Sequence, residues 1–131
     1  MKESNRMIKE SFHTVLIKHL DLMQNKDIIP FLQTISEQED ISVIMPNGRL
    51  ISGYKDVAEF NKDWFADIDW SLSYQIIKEE CTDEMGYAVV EIEYKDVDQN
   101  GNPYNKIYYL TLIFKKNNEK WLLVHDQNTF T

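Results

Sequence analysis

The stretch from residue 70 to 128 most constrains what this chain can become. Four segments, 70–80, 87–96, 106–116 and 120–128, are dense in β-branched and aromatic residues. Only CTDEMG, VDQNGNPYN and KNNE separate them, and all three are turn compositions. Consecutive long strands joined by short reversals form an antiparallel sheet.

The first half reads differently. Between about Glu3 and Gln24, the residues Ile8, Phe12, Val15, Leu16, His19, Leu20 and Met23 recur at the spacing of an amphipathic helix. Asn25-Lys26-Asp27 breaks it. Asp27 then suits the cap of a second helix running to about Glu37, with Pro30 in its first turn. In DISVIMPNGRLISG, the alternation of Ile41, Val43 and Met45, the turn at Pro46-Asn47-Gly48 and the return through Leu50 predict a hairpin. Val57, Phe60, Trp64 and Ile68 then mark a third helix.

Helices segregated from strands predict an α+β fold, with three N-terminal helices packed on a mainly antiparallel sheet. At 131 residues, one domain over 1–131 is expected. The strands carry apolar residues on both parities: Tyr74, Ile76, Val90 and Ile92 beside Ile77, Val89, Tyr109 and Ile113. Helices cover one face. The other needs a cover too, and a second copy of the same sheet supplies it, so a homodimer through the sheets is expected.

A formal net charge of -8 argues against nucleic acid and anionic membrane surfaces as partners. No apolar run approaches the ~20 residues of a spanning helix. MKESNRMIKESF lacks the apolar region of a secretory signal, and Cys81 is the single cysteine. A reducing, cytoplasmic setting is the expectation.

The element order, with MPNGRLISGYKDVAEFNKDWF in the middle and EKWLLVHDQNTF at the end, resembles the nuclear transport factor 2-like superfamily. It looks closest to the SnoaL-like branch, which includes ketosteroid-isomerase-like proteins and the association domain of calcium/calmodulin-dependent kinase II. The similarity rests on the Asn25-Lys26-Asp27 break, on Asp40 to Pro46 followed by Gly48 and Gly53, and on Lys120-Trp121 through His125. It implies a cone-shaped fold with a cavity between curved sheet and helices, usually in a dimer. Many relatives end in His-x-His-x-Ser, whereas here the second histidine is absent from His125-Asp126-Gln127-Asn128-Thr129. Residues 1–24 hold no tyrosine, so the tyrosine–aspartate pair of the ketosteroid isomerases has no counterpart.

The candidate chemistry lies where the last strand turns polar. Side chains alternate faces, so His125 and Gln127 share one and Asp126 and Asn128 the other; no His125–Asp126 dyad forms in a regular strand. In such a strand Trp121 and Leu123 lie on the histidine face, and Leu122 and Val124 on the aspartate face. Hydrophobicity alone therefore does not choose which pair faces a cavity. Asp126 is a candidate general base whose pKa desolvation would raise, and Asn128 a ligand-orienting amide. Alternatively both simply end the strand in water. In the kinase association domains, the position matching Asn128 is basic and reaches a pocket for small carboxylates. That likeness points to the Asp126/Asn128 face, while Asp126 itself would repel an anion. His125 is the second catalytic candidate, because an imidazole exchanges protons near neutral pH; a hydrogen-bonded histidine at a dimer interface is the alternative.

Four further residues carry weaker signals. His19 on the first helix either enters the cavity or is a satisfied core residue. Trp64 is the expected cavity wall. Tyr108 and Tyr109 face opposite ways, so one lines the cavity, and Tyr109 is kept as a ligand-binding candidate. His13 and His19 lie on different helix faces without a carboxylate cluster, so no metal and no cofactor is expected. Acidic residues around Cys81 oppose the thiolate a nucleophile needs.

These features predict a dimeric small-molecule-binding protein, the ligand being a small apolar or mixed-polarity molecule. An isomerase, cyclase or hydratase using Asp126 or His125 as base is one alternative. A non-catalytic association module, its cavity filled by Tyr and Trp, is the other.

Overall fold

A computed structural model describes residues 10–131. The first helix, α1, spans Phe12–Gln24, with Ser11 as its N-cap: the Ser11 Oγ accepts from Thr14 N–H at 3.1 Å. It buries Phe12, Val15, Leu16, His19, Leu20 and Met23, the stripe the spacing predicts. The part expected at Glu3–Lys9, with Ile8, lies outside the described residues.

The second helix, α2, is one short turn, Ile28–Leu32, and not the longer element expected to Glu37. The last strand claims the rest of the segment. Leu123 N–H donates to Thr34 O at 2.9 Å and Ser36 N–H donates to Leu123 O at 2.9 Å, making a parallel bridge at Ile35. Backbone groups that pair with a strand are lost to a helix.

The predicted hairpin follows as β1, Ser42–Ile44, and β2, Leu50–Ser52. Helix α3, Tyr54–Ala66, buries Val57, Ala58, Asn61 and Phe65. Ile68, expected on its stripe, is 89% exposed, because the backbone turns extended at Asp67. The long strands are β3 (Ser71–Cys81), β4 (Met85–Val97), β5 (Pro103–Asn117) and β6 (Lys120–Phe130). The sheet order is β2-β1-β6-β5-β4-β3, antiparallel throughout except where β1 runs parallel to β6. The three helices lie on one face of this six-stranded curved sheet, as the α+β expectation requires.

The core fills the space between helices and sheet. Ala88, Val90, Ile92, Leu110, Leu112 and Phe114 point inward from β4 and β5, at 0–1% exposure. Phe12 packs edge-on against Phe114 and Trp121, with ring centroids 5.5 and 5.2 Å away. Gly86 admits that ring: a Cβ there would stand 2.6 Å from Phe12. The opposite sheet face carries Tyr87, Val89, Tyr109, Thr111 and Ile113, with Ile107 and Tyr109 each 40% exposed. Apolar groups therefore occur on both faces, as the two parities predict. No helix among the described residues is long and apolar enough to cross a membrane.

A bulge in β6 decides which polar residues face inward. Ile113 pairs with His125, but the next residue, Phe114, pairs with Leu123, so Val124 is the extra residue. The alternation shifts by one at that point. Asp126 opposite Leu112 and Asn128 opposite Leu110 thus join Trp121 and Leu123 on the inner face. This corrects the regular-strand expectation, in which Trp121 and Leu123 shared the histidine face.

Candidate functional site

A cavity of about 250 Å³ lies between α3, the β1–β2 hairpin and the inner face of β4, β5 and β6. Its walls are mostly apolar. Met23 and Phe31 come from α1 and α2, Val43 and Met45 from the hairpin, and Phe60 and Trp64 from α3. The sheet contributes Tyr94, Tyr108, Leu110 and Phe130. Asp126, Asn128 and Asn61 are the polar groups of the enclosed end, while Tyr104 and Lys106 stand at its exposed end.

The aromatic wall is built as a series. Trp64 stacks on Trp70 at 4.2 Å and 11°, and Trp70 Nε1–H donates to Trp64 O at 2.7 Å, tying the end of α3 to the start of β3. Trp70 stacks on Tyr94 at 5.9 Å, Tyr94 meets Tyr108 at 6.3 Å, and Tyr108 meets Phe130 at 6.3 Å. Tyr94, Tyr108 and Phe130 lie on adjacent strands, so the sheet register sets their order.

Asp126 is the acidic side chain of the cavity lining. It is half-buried, opposite Leu112 on β5 and beside Val43 of β1. Asn128 Nδ2 donates to Asp126 Oδ1 at 2.8 Å and to Ile44 O at 3.0 Å, which fixes the amide and clamps β6 to β1. Desolvation by burial raises the Asp126 pKa to about 7, and the Asn128 hydrogen bond pulls the other way. Burial wins, so the acid exchanges its proton near neutral pH. Tyr108 is 7% exposed; burial, with Asp126 and Tyr94 nearby, holds its phenol above the ordinary range. Burial does the same for Tyr94, whose hydroxyl donates to Asp96 Oδ2 at 2.8 Å.

The candidates divide between the two faces. Asp126, Asn128 and Trp64 line the cavity together. His125 faces the other side of the sheet, where its Nδ1 is hydrogen-bonded with Ser42 Oγ at 2.8 Å and its Nε2 lies 3.4 Å from Gln127 Oε1. Its candidacy as a cavity base is corrected accordingly. Tyr109 also faces outward, and Tyr108 takes the inward place; the expectation of Tyr109 as a ligand contact is corrected.

His19 is a core residue and not a wall of the cavity. Thr34 Oγ1–H donates to Phe31 O at 2.7 Å, so the 2.7 Å bond to His19 must be donated by its Nδ1–H. Its Nε2 is buried without a partner. Burial lowers its pKa to about 3, so it is neutral here. The ring lies against Phe31 at 4.7 Å.

Sequence reasoning missed Asn61, a cavity residue buried on α3. The signal was present: Asn61 stands four residues after Val57, a polar side chain on the inward stripe. Lys106 was missed because its inward parity looks like solvent-facing charge. Among the described residues, no group of three or more His, Cys, Asp or Glu side chains could hold a metal.

A SnoaL-like domain family model matches residues 13–130. Among solved structures, a ketosteroid isomerase-like protein from Erwinia carotovora atroseptica aligns with TM-score 0.76 and 14% identity, over 97% of this chain and 98% of that one. A nuclear transport factor 2 (NTF2-like) superfamily protein from Salmonella enterica serovar Typhimurium aligns with TM-score 0.74 and 16% identity, over 97% and 93%. The association domain of C. elegans CaMKII aligns with TM-score 0.64 and 17% identity, over 88% and 89%. At these identities the likeness shows the fold alone. No curated protein matches the sequence. The family match spans nearly the whole chain and agrees with the observed order of helices and strands: the chain belongs to the SnoaL-like domain family.

Proposed function

We propose that this chain is a homodimeric, single-domain small-molecule-binding protein of the cytoplasm, with the cavity around Asp126 as its binding site. One observation carries the reading: a carboxyl group with a pKa near 7 faces a mostly apolar cavity, held by Asn128. Burying an acid among Leu112, Val43 and aromatic rings is unfavourable for folding. A group that destabilises its own fold inside a cavity is a candidate for recognition or proton transfer. A module that only associates predicts a cavity filled by Tyr and Trp; about 250 Å³ of space speaks against it.

The raised acid also supports a second reading, an isomerase, cyclase or hydratase in which Asp126 is the general base. Proton transfer is most effective when the pKa lies near the working pH. His125 has no part in this reading, because the sheet separates it from the cavity.

The homodimer is inferred from the outer sheet face. Tyr109, Ile107 and Ile113 form an apolar surface there that helices do not cover. A second copy would bury it.

Ligand-detected NMR with a library of small neutral and charged fragments tests the site. Fragments should bind the wild type and lose binding in Leu110→Trp, which fills the cavity. Asp126→Asn should fold and change the affinity. Binding unaffected by both substitutions would refute the site.

A further inference from the structure

The two amides at the polar end of the cavity are oriented by the hydrogen bonds they donate. Asn128 Nδ2 gives one proton to Ile44 O and the other to Asp126 Oδ1. Asn61 Nδ2 donates to Val57 O at 2.9 Å. A backbone carbonyl accepts and cannot donate, so both amides are oriented with Oδ1 left over. Asp126 Oδ2 has no partner among the described residues either. The Tyr94 hydroxyl is committed to Asp96. What remains once Asp126 is ionised is a set of acceptors, Asp126 Oδ2, Asn128 Oδ1 and Asn61 Oδ1, with the second Asn61 Nδ2–H and the Tyr108 hydroxyl as donors near them.

Charge and ring chemistry point the same way. Phe31, Phe60, Trp64, Tyr94 and Tyr108 surround the space, and aromatic faces attract cations. Lys106, the cation of the lining, has its Nζ 4.5 Å from the Phe130 ring centroid at the exposed end. It stands six positions along β5 from Leu112, the partner of Asp126, about 20 Å of strand. At that end Asp96, Asp98 and Asp67 all act on Tyr104, and the chain as a whole carries -8. An anion meets an adverse field on this route and a cation a favourable one.

We propose that the ligand is an organic amine: a protonated primary amine whose N–H groups meet Asp126 and the Oδ1 atoms of Asn128 and Asn61, with an apolar or aromatic body against the ring walls. The inference rests on the ligand-binding reading of the same cavity. A space of about 250 Å³ suits a molecule below drug size. Burial raises the Asp126 pKa to about 7, so at pH 6 the empty cavity favours its protonated form. The amine arrives as its ammonium ion, and the ion pair requires the carboxylate. Asp126 therefore gives its proton to solvent as the complex forms, and no bond of the ligand changes.

Isothermal titration calorimetry at pH 6, in two buffers of different ionisation enthalpy, tests this with 2-phenylethylamine, 2-phenylethanol and phenylacetate. The amine should bind, the alcohol about tenfold more weakly, and phenylacetate more weakly still. The heat of amine binding should depend on the buffer, reporting proton release, and that of the alcohol should not. Asp126→Asn should abolish the amine's advantage and keep the affinity for the alcohol. If Asp126→Asn does not fold, the affinity order of the three probes in the wild type still decides. Alcohol or phenylacetate binding as tightly as the amine, or an amine advantage that survives Asp126→Asn, would overturn the amine assignment and leave the cavity as a binding site. Failure of all three probes to bind, or binding that survives Leu110→Trp, would overturn both.

Discussion

Leu123 and Asp126 face the same side of the sheet although they stand three residues apart. In an unbroken strand they would face opposite ways. The bulge at Val124 brings them together, and so puts a carboxyl group on the face that Trp121 and Leu123 pack into the core. Backbone irregularity, and not side-chain chemistry, turns Asp126 to the inner face of the sheet.

That placement has a measurable cost. The folded pKa of Asp126 is raised to about 7 from 3.8, so between those values the folded state holds a proton that the unfolded state has lost. Stability therefore falls as pH rises through this window. Asp126→Asn keeps the shape and removes the charge. It should raise stability at pH 8 by about 1–3 kcal/mol, with the gain shrinking toward pH 4. Urea denaturation at the two pH values measures it; an equal effect at both would refute the buried acid.

His19 works in the opposite direction. Its folded pKa is lowered to about 3 from 6.5, so as pH falls below 6.5 the unfolded state takes up a proton that the folded state refuses. Stability is present above 6.5 and is lost toward 3, on the order of 1.4 kcal/mol per unit of pKa difference. His19→Leu also removes the unpartnered Nε2. The variant should show a flatter stability profile between pH 6.5 and 4 than the wild type; an unchanged slope would place the acid sensitivity elsewhere.

Gly86 tests the packing of α1 on the sheet. A methyl group at Gly86 would stand 2.6 Å from the Phe12 ring, which is itself confined by Phe114 and Trp121. Gly86→Ala should destabilise by about 1–3 kcal/mol. Adding Phe12→Leu should recover part of that loss, seen as a non-additive double-mutant cycle. Additive effects would mean that the two sites do not press on each other.

The outer sheet face gives a fourth test. Tyr109→Arg combined with Ile113→Lys places charges on the apolar patch opposite Tyr87 and Glu91. Sedimentation velocity should show a dimer for the wild type and a monomer for the double variant. A monomeric wild type would contradict the proposed assembly.

Periodicity carried most of the fold. Val57 and Phe60 marked α3, the turn residues between strands marked the meander, and apolar residues on both parities predicted a sheet with two apolar faces. Where local pattern and tertiary pairing competed, the pattern failed. Thr34 to Ser36 carry no helix breaker and read as helix, yet the backbone groups of Thr34 and Ser36 pair with Leu123. Ile68 completes the helical stripe but lies past the helix end. The site was half legible for a related reason. Asp126 and Asn128 stood out as polar residues at the end of an apolar strand. Their face depended on Val124, and no residue type there signals a bulge. Tyr108 and Tyr109 are identical in kind, so only the register of β5 separates a cavity wall from an exposed ring.

The central claim is that Asp126 is a protonatable group inside a ligand cavity. The most direct measurement is a ¹³C NMR titration of its side-chain carboxyl, assigned by the signal absent in Asp126→Asn. A midpoint near 7 in the free protein, moving when 2-phenylethylamine is added, is the predicted result. A midpoint near 4 that no ligand shifts would contradict it, and would make the polar end of β6 an ordinary strand terminus in water.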